Sequence, residues 1–201
     1  MFERLEAMSA PFSRFTEFVL ELDRLKSIER RTYINAGERL ENSAEHSWHV
    51  AIAAWALANY LDRDISLGKL LQLALVHDLG ELDAGDTFLY SADRADVSAK
   101  ERDGVSRLST EHPGMIPDLV PLWDEQEVGA TPEARLLKVA DRLLPLLHNI
   151  ASDGKTWREH GIARSQVLAA HAFIEAESPE IFAWIRGQLD AAVANGWLKD
   201  E

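Results

Sequence analysis

The chain has 201 residues, 46% of them hydrophobic, and no cysteine, which suits one domain with a hydrophobic core and excludes disulfide bonds and thiol chemistry. Its formal net charge of −13 disfavours broad binding to a nucleic acid polymer or to an anionic membrane surface, because like charges repel. No run of about 18 apolar residues predicts a membrane span, and residues 1–12 lack an apolar signal segment, so we expect a cytoplasmic protein with no membrane partner.

Helical patterns follow one another through the first half of the chain. Apolar residues recur at helical spacing in residues 11–27, whereas residues 28–43 are polar and irregular and predict a loop. Ser43 is a plausible N-cap for a helix that ends near Leu61, and another helix is expected over residues 67–79.

The second half continues in the same way. Further helices are expected over residues 96–110, 117–127, 132–150, 164–177 and 179–195. Thr131 and Pro132 fit an N-cap and the first helical position, and Gly196 fits a helix stop. Residues 83–96 and 152–161 predict loops. We find no convincing strand, so the sequence predicts one all-α domain over residues 1–201.

The stretch LALVHDLGE, residues 73–81, ends an apolar helical pattern with His77 and Asp78 side by side. Both follow apolar residues one turn earlier, so both side chains are expected to point from the helix end towards the interior. A buried carboxylate is costly unless a metal, an opposite charge or hydrogen bonds compensate it. Glu81 stands one turn beyond this pair.

Two other predicted helices carry a polar residue on an apolar face. His46 heads the apolar face of its helix, and Asp141 lies on the apolar face of another. Taken singly, His46 is more typical of a core histidine, and Asp141 could pair with a neighbouring arginine. Together, three helices bring two imidazoles and two carboxylates inward, and a shared metal ion is a common explanation.

The pattern H…HD…D resembles that of the HD-domain metal-dependent phosphohydrolases, which are helical bundles. The blocks ENSAEHSWHVA, HDLGELDAGDT and KVADRLLPLL are similar to the subgroup that includes the 5'-deoxynucleotidases. This similarity extends over about residues 15–150. It implies a metal-site core at about residues 28–150, followed by C-terminal helices at about residues 160–197.

The resemblance implies roles for individual residues. The metal ligands would be His46, His77, Asp78 and Asp141. Glu81 would act on the attacking water, and Asp86 would be a second acid near the substrate. Arg31 would bind phosphate, and Glu125 or Glu127, the latter preferred, would contact the sugar. Arg30 could take the phosphate role instead of Arg31. Imidazole and carboxylate ligands suit one ion of Mn, Co, Fe, Zn or Ni, and Mg is a less natural fit.

Two further histidines have an alternative interpretation. His49 lies three residues after His46 and could bind a second metal, as in dinuclear HD enzymes, but packing is the favoured explanation. His148 lies on the same face as Asp141, and there too a core position is favoured.

The resemblance implies a metal-dependent phosphohydrolase that acts on a nucleoside 5'-monophosphate or a similar small phosphate ester. The alternatives are an HD phosphodiesterase, a nucleotide triphosphohydrolase, or a non-catalytic nucleotide-binding HD protein. Few of the 21 lysine and arginine residues lie near the motifs, which disfavours a triphosphate substrate, and the presence of Glu81 disfavours a non-catalytic protein. Thr32 is small where the deoxynucleotidases carry a bulky aromatic residue, so weak discrimination between ribo- and deoxyribonucleotides is expected. Related hydrolases of this size commonly pair, so we expect a homodimer.

Overall fold

The computed structural model describes residues 10–91 and 94–200 and is mostly helical. The helices are α1 (Ala10–Leu22), α2 (Ser43–Tyr60), α3 (Leu67–Val76), α4 (Glu81–Ala84), α5 (Arg94–Glu111), α6 (Leu119–Val128), α7 (Pro132–Ala151), α8 (Lys155–His160), α9 (Arg164–His171), α10 (Ile174–Glu177) and α11 (Pro179–Ala194), and a 3-10 helix (Asp23–Ser27) follows α1. The predicted all-α class is confirmed, apart from one small sheet. Residues 1–9, within the segment searched for a signal, and residues 92–93, within a predicted loop, lie outside the described residues.

The predicted loop over residues 28–43 is wrong, because this segment forms an antiparallel hairpin of β1 (Glu29–Ile34) and β2 (Arg39–Asn42). The strands carry no alternating apolar pattern that would have revealed them. Two hydrogen bonds from helix α8 hold the hairpin in place. The Lys155 Nζ atom donates a hydrogen bond to the Gly37 carbonyl at 2.9 Å, and the Thr156 hydroxyl donates to the Arg31 carbonyl at 2.9 Å.

The N-cap of α2 is Asn42, and not Ser43 as predicted. The Asn42 side chain accepts from the Glu45 backbone N–H at 3.0 Å, while the Glu45 carboxylate accepts from the Asn42 backbone N–H at 2.7 Å. This reciprocal capping box satisfies two N–H groups at the start of the helix, so Ser43 becomes the first helical residue. The other predicted cap, Thr131 before Pro132, is confirmed at the start of α7.

Further boundaries differ from the sequence prediction, and one is the predicted loop over residues 83–96, which overlaps the end of α4 and the start of α5. Helix α3 ends at Val76, so His77 lies just beyond it. Helix α8 occupies part of the predicted loop over residues 152–161, between two glycines in the left-handed conformation. The predicted helix over residues 164–177 is broken into α9 and α10. No helix in the described part of the chain has the length and apolar character needed to span a membrane.

Helix α7 lies at the centre of the packing. One part of its surface packs with α2 and α3 in a core that includes Val50, Leu70 and Leu137. Another part packs with the C-terminal helices, where Leu146 and Ile185 belong to a second buried cluster. Because α2, α3 and α7 share one core, polar residues on their inner faces are brought to one place.

Candidate functional site

The structure brings together four side chains from three separate places in the sequence. His46 lies on α2, His77 and Asp78 follow α3, and Asp141 lies on α7. Ligand atoms of the first three lie within 4.8 Å of one another. The Asp141 Oδ1 atom is 3.1 Å from the His46 Nε2 atom and 4.0 Å from the His77 Nε2 atom. His46 has no exposed surface, and His77 is 9% exposed. Two imidazoles and two carboxylates therefore converge at one buried point.

The hydrogen bonds of the two histidines fit a metal ion at that point. His77 Nδ1 donates to the Ala74 carbonyl at 2.7 Å, which leaves the Nε2 lone pair free and aimed at the carboxylates. The Nε2 atom is buried and has no hydrogen-bond partner among the described residues, although Asp78 Oδ1 is 3.3 Å away. A lone pair facing two carboxylates is unfavourable unless a cation lies between them. The donor set is also one that transition metals prefer.

A buried glutamate on β2 orients His46 from the opposite side of its ring. The His46 Nδ1 atom lies 3.0 Å from the Glu41 Oε2 atom, and Glu41 is only 1% exposed. A carboxylate on the outer nitrogen fixes the tautomer of a metal-binding imidazole and raises its basicity. Glu41 was not predicted from the sequence, because a segment interpreted as a loop gives no indication of which side chains point inward.

Four acids lie against one largely buried arginine beside the histidines, and one of them is Glu41, whose Oε2 atom lies 3.5 Å from Arg30 Nε. The Arg30 Nη1 atom lies 3.0 Å from Asp78 Oδ2, 3.1 Å from Glu81 Oε1 and 3.0 Å from Asp86 Oδ1. Burial opposes the charge of Arg30, but the carboxylates outweigh it and hold the pKa of the guanidinium above its ordinary value. Glu81 and Asp86, for which the sequence predicts catalytic roles, therefore lie next to the four residues above.

The structure places Arg30, and not Arg31, among the acids. Arg30 contacts the acids from a part of β1 whose pairing with β2 is irregular, between Glu29 and Tyr33. Arg31 is exposed, and its guanidinium carbon lies 5.8 Å from the centre of the Phe88 ring. The resemblance implies Arg31 for the phosphate role, with Arg30 as the alternative, and of the two it is Arg30 that the hairpin brings to the acids.

Electrostatics set the protonation of the buried groups. Burial and Arg30 disfavour the charged form of His46, but hydrogen bonds to Asp141 and Glu41 outweigh them and raise the pKa of His46 to about 9. A metal ion would have to displace that proton. Burial also opposes the charge of Asp141, but Arg142 and His46 hold the pKa of Asp141 well below its ordinary value. By contrast, burial and the neighbouring Asp78 raise the pKa of Glu81 well above its usual range.

A cavity of about 780 Å³ opens onto the acids and Arg30. Its lining includes His77, Asp78, Glu81, Asp86, Asp141, Arg30, Arg31, Thr32, Phe88, Tyr90, Glu127, Lys138, Arg142 and Phe173. Of the two acids that the sequence offered for sugar binding, Glu127 lines the cavity, where it accepts from the Ser98 hydroxyl at 2.9 Å. Glu125 instead binds Lys69 and Thr131.

Four basic side chains line this cavity: Arg30, Arg31, Lys138 and Arg142. Lys138 lies over the Phe173 ring at 5.2 Å, and Arg142 pairs with Asp141 at 2.9 Å. The sequence predicts few basic residues near the motifs, and these four of the 21 lysine and arginine residues line the cavity. Lys138 and Arg142 are distant in sequence from the HD pair, and the path of α7 brings them to it.

A model of the HD domain family matches residues 22–182 of the chain. A crystal structure from Magnetospirillum magnetotacticum MS-1, described as a predicted metal-dependent phosphohydrolase, is 40% identical and superposes with a TM-score of 0.84, covering 94% of this chain and 96% of its own. An HD-domain phosphohydrolase from Listeria innocua is 19% identical with a TM-score of 0.60, covers 88% and 86% of the two chains, and shows similarity of fold alone.

Two curated relatives are both named 5'-deoxynucleotidases. HDDC2 of Danio rerio is 28% identical over 134 residues, which are 63% of this chain and 64% of the relative. YfbR of Salmonella paratyphi B is 28% identical over 162 residues, which are 76% of this chain and 80% of the relative. The chain thus spans less than two thirds of the Danio rerio protein.

Proposed function

The chain belongs to the HD domain family, and from this premise we propose that it is a metal-dependent phosphohydrolase that hydrolyses a nucleoside 5'-monophosphate or a similar small phosphate ester. The observation that carries the proposal is the meeting of a two-histidine, two-aspartate centre with a buried arginine at one cavity. Charge neutralisation and an activated water are what phosphate ester hydrolysis requires.

We assign the metal to His46, His77, Asp78 and Asp141. A divalent ion bound there supplies positive charge to the phosphoryl oxygens and lowers the pKa of water. The free Nε2 lone pair of His77 and the carboxylate that orients His46 support this assignment. The physiological metal stays open among Mn, Co, Fe, Zn, Ni and Mg.

We assign phosphate binding to Arg30. Its guanidinium already lies within 3.1 Å of three carboxylates, so it is held at the place where a phosphate would meet the acids. A guanidinium matches phosphate geometry with two parallel hydrogen bonds. Arg31, which lines the same cavity from its exposed position, would contact more distant parts of the substrate.

Glu81 is the proposed proton carrier, with Asp86 beside it. Burial raises the pKa of both carboxyl groups, although Arg30 opposes this shift. A carboxyl group whose pKa is raised holds a proton more readily, so it can accept one from water and return it to the leaving oxygen. Both side chains lie against the same arginine Nη1 atom, within reach of a bound phosphate.

The rest of the cavity suits a nucleoside. A volume of about 780 Å³ falls in the range of small-molecule sites, and aromatic rings of Phe88, Tyr90 and Phe173 line it. Glu127 is available to a sugar hydroxyl. Thr32 also lines the cavity with a small side chain, which supports the expected weak discrimination between ribo- and deoxyribonucleotides.

A nucleotide triphosphohydrolase is the second candidate function. Four basic side chains on one cavity could hold more than one phosphate group. The pairing of Arg142 with Asp141 reduces the positive charge available to a longer phosphate tail, so we rank this candidate below the monophosphate.

We further propose that the enzyme is a cytoplasmic homodimer. The support for pairing is the outer face of α2, where Trp48, Ile52 and Trp55 are 64%, 47% and 43% exposed at helical spacing. Contiguous apolar side chains on a surface are typical of an interface between subunits.

The experiment is a substrate panel with metal-free protein reconstituted with each divalent metal in turn. We expect phosphate release from nucleoside 5'-monophosphates and its loss in Asp78→Asn. If only nucleoside triphosphates are cleaved, with release of pyrophosphate or triphosphate, the second candidate is favoured. If only phosphodiesters are cleaved, a phosphodiesterase is favoured. Inactivity on all three classes with metal bound would leave only a binding role.

A further inference from the structure

A second group of metal-ligand side chains lies on the far side of His46. It comprises Glu41 on β2, His49 on α2 and His148 on α7, and one ligand atom from each lies within 4.8 Å of the other two. This spacing limit also holds for His46, His77 and Asp78. The two imidazole rings have centroids 5.5 Å apart with an angle of 33° between their planes.

A hydrogen-bond network does not account for this cluster. Within residues 10–91 and 94–200, no hydrogen bond joins either imidazole to the other or to Glu41. The Nδ1 atom of His148 is shielded from solvent and has no hydrogen-bond partner there. A buried ring nitrogen without a partner is costly, and a bound cation would satisfy it.

The donor set selects a class of ion. Two imidazoles and one carboxylate are the protein ligands of many catalytic zinc sites and of mononuclear iron sites. Three protein ligands leave further coordination positions for water.

We propose that Glu41, His49 and His148 form a second site for a divalent transition-metal ion, separate from the two-histidine, two-aspartate centre. The His46 ring stands between the two sites, because its Nδ1 atom faces Glu41 and its Nε2 atom faces Asp141. No side chain of this second site belongs to the first. Glu41 nevertheless connects them, since its carboxylate orients His46.

The test is the number of metal ions that each chain binds. Metal-free protein is titrated with Co²⁺ and with Zn²⁺ by calorimetry, and bound metal is counted by elemental analysis. We expect two equivalents per chain in the wild type and one in His49→Gln and in His148→Gln. Asp141→Asn should lose the other equivalent and keep the one at the second site. His160→Gln, on the exposed end of α8, is the matched control and should bind two.

The result that would overturn the proposal is one equivalent in the wild type, removed by Asp141→Asn and untouched by either histidine variant. Circular dichroism verifies that each variant is folded. If His148→Gln does not fold, His49→Gln decides alone, because that side chain is partly exposed. Anomalous diffraction from a Zn²⁺-soaked crystal gives an independent answer, since the proposal requires a peak between His49 and His148. The readout is metal content, so it does not depend on any substrate being found.

Discussion

Single hydrogen bonds set the ligand geometry at the proposed metal centre. His77 donates to the Ala74 carbonyl and His46 faces Glu41, so each ring turns its other nitrogen towards the aspartates. The carbonyl is part of the α3 backbone, whereas Glu41 comes from another element. Local structure therefore orients one ligand, and the hairpin orients the other.

Glu81→Gln should lower turnover by about 10²-fold or more, because glutamine keeps the size of the side chain and cannot carry a proton. Burial raises the pKa of the Glu81 carboxyl, so this group is suited to proton transfer. The substitution removes that proton transfer. The measurement is kcat on the best nucleotide, with bound metal counted in parallel. Glu38→Gln, at an exposed position of the hairpin turn, is the control. Turnover equal to that of the wild type would remove Glu81 from the mechanism.

Arg30→Lys should lower kcat/KM for a monophosphate by about tenfold or more, roughly 1.4 kcal/mol of transition-state stabilisation. Lysine keeps the charge but loses the two parallel donors of the guanidinium. Arg31→Lys is the matched control, and we expect an effect of about threefold or less, because Arg31 is exposed and lies away from the acids. The reverse ranking of the two variants would return the phosphate role to Arg31.

At the scale of elements, the approach of α4 to α5 holds the acids in place. An added Cβ on Gly80 would lie 2.6 Å from the Glu101 Cβ atom and 2.7 Å from its backbone oxygen. Such distances are shorter than van der Waals contact, so only glycine allows the two helices to lie this close. Gly80 immediately precedes Glu81, the first residue of α4.

Gly80→Ala should therefore destabilise the protein by about 1–3 kcal/mol and reduce activity, because α5 must move away from the turn that carries Glu81. Gly68→Ala is the matched control within α3, where an added Cβ meets no atom within 4 Å. Alanine favours a helix by about 1 kcal/mol over glycine, so this control should be neutral or stabilising. Urea unfolding measures both. A Gly80→Ala protein as stable as the wild type would contradict the close approach.

At the scale of the whole molecule, α2 is apolar on its outer as well as its inner face. After Glu45 it contains no aspartate, glutamate, lysine or arginine, and Trp48, Ile52 and Trp55 stay exposed in the monomer. A helix that is hydrophobic all round is normally buried on every side. The exposed apolar face of α2 contrasts with the net acidic charge of the chain, and we expect this face to contact a second copy of the chain.

Light scattering should therefore give a mass of about twice the 22.5 kDa of one chain at micromolar concentration. Trp48→Glu should shift the protein towards monomer, since a charge in an apolar interface must be desolvated. Val128→Glu, at another exposed apolar position, is the control and should leave the mass unchanged. A monomer mass for the wild type across this range would refute the dimer.

The sequence alone determined the fold class and the residues that meet at the centre of the site. The helical period of α2 and α7 and the end of α3 put His46, Asp141 and the HD pair on inward faces, and a helix fixes the direction of its side chains locally.

The tertiary structure decided three further features of the site. These are the choice of Arg30 over Arg31, the contact of Glu41 with His46, and the cluster with His49 and His148. The hairpin carries no apolar alternation, so its register depends on packing against α7 and α8, and a shift of one residue would turn every side chain to the opposite face.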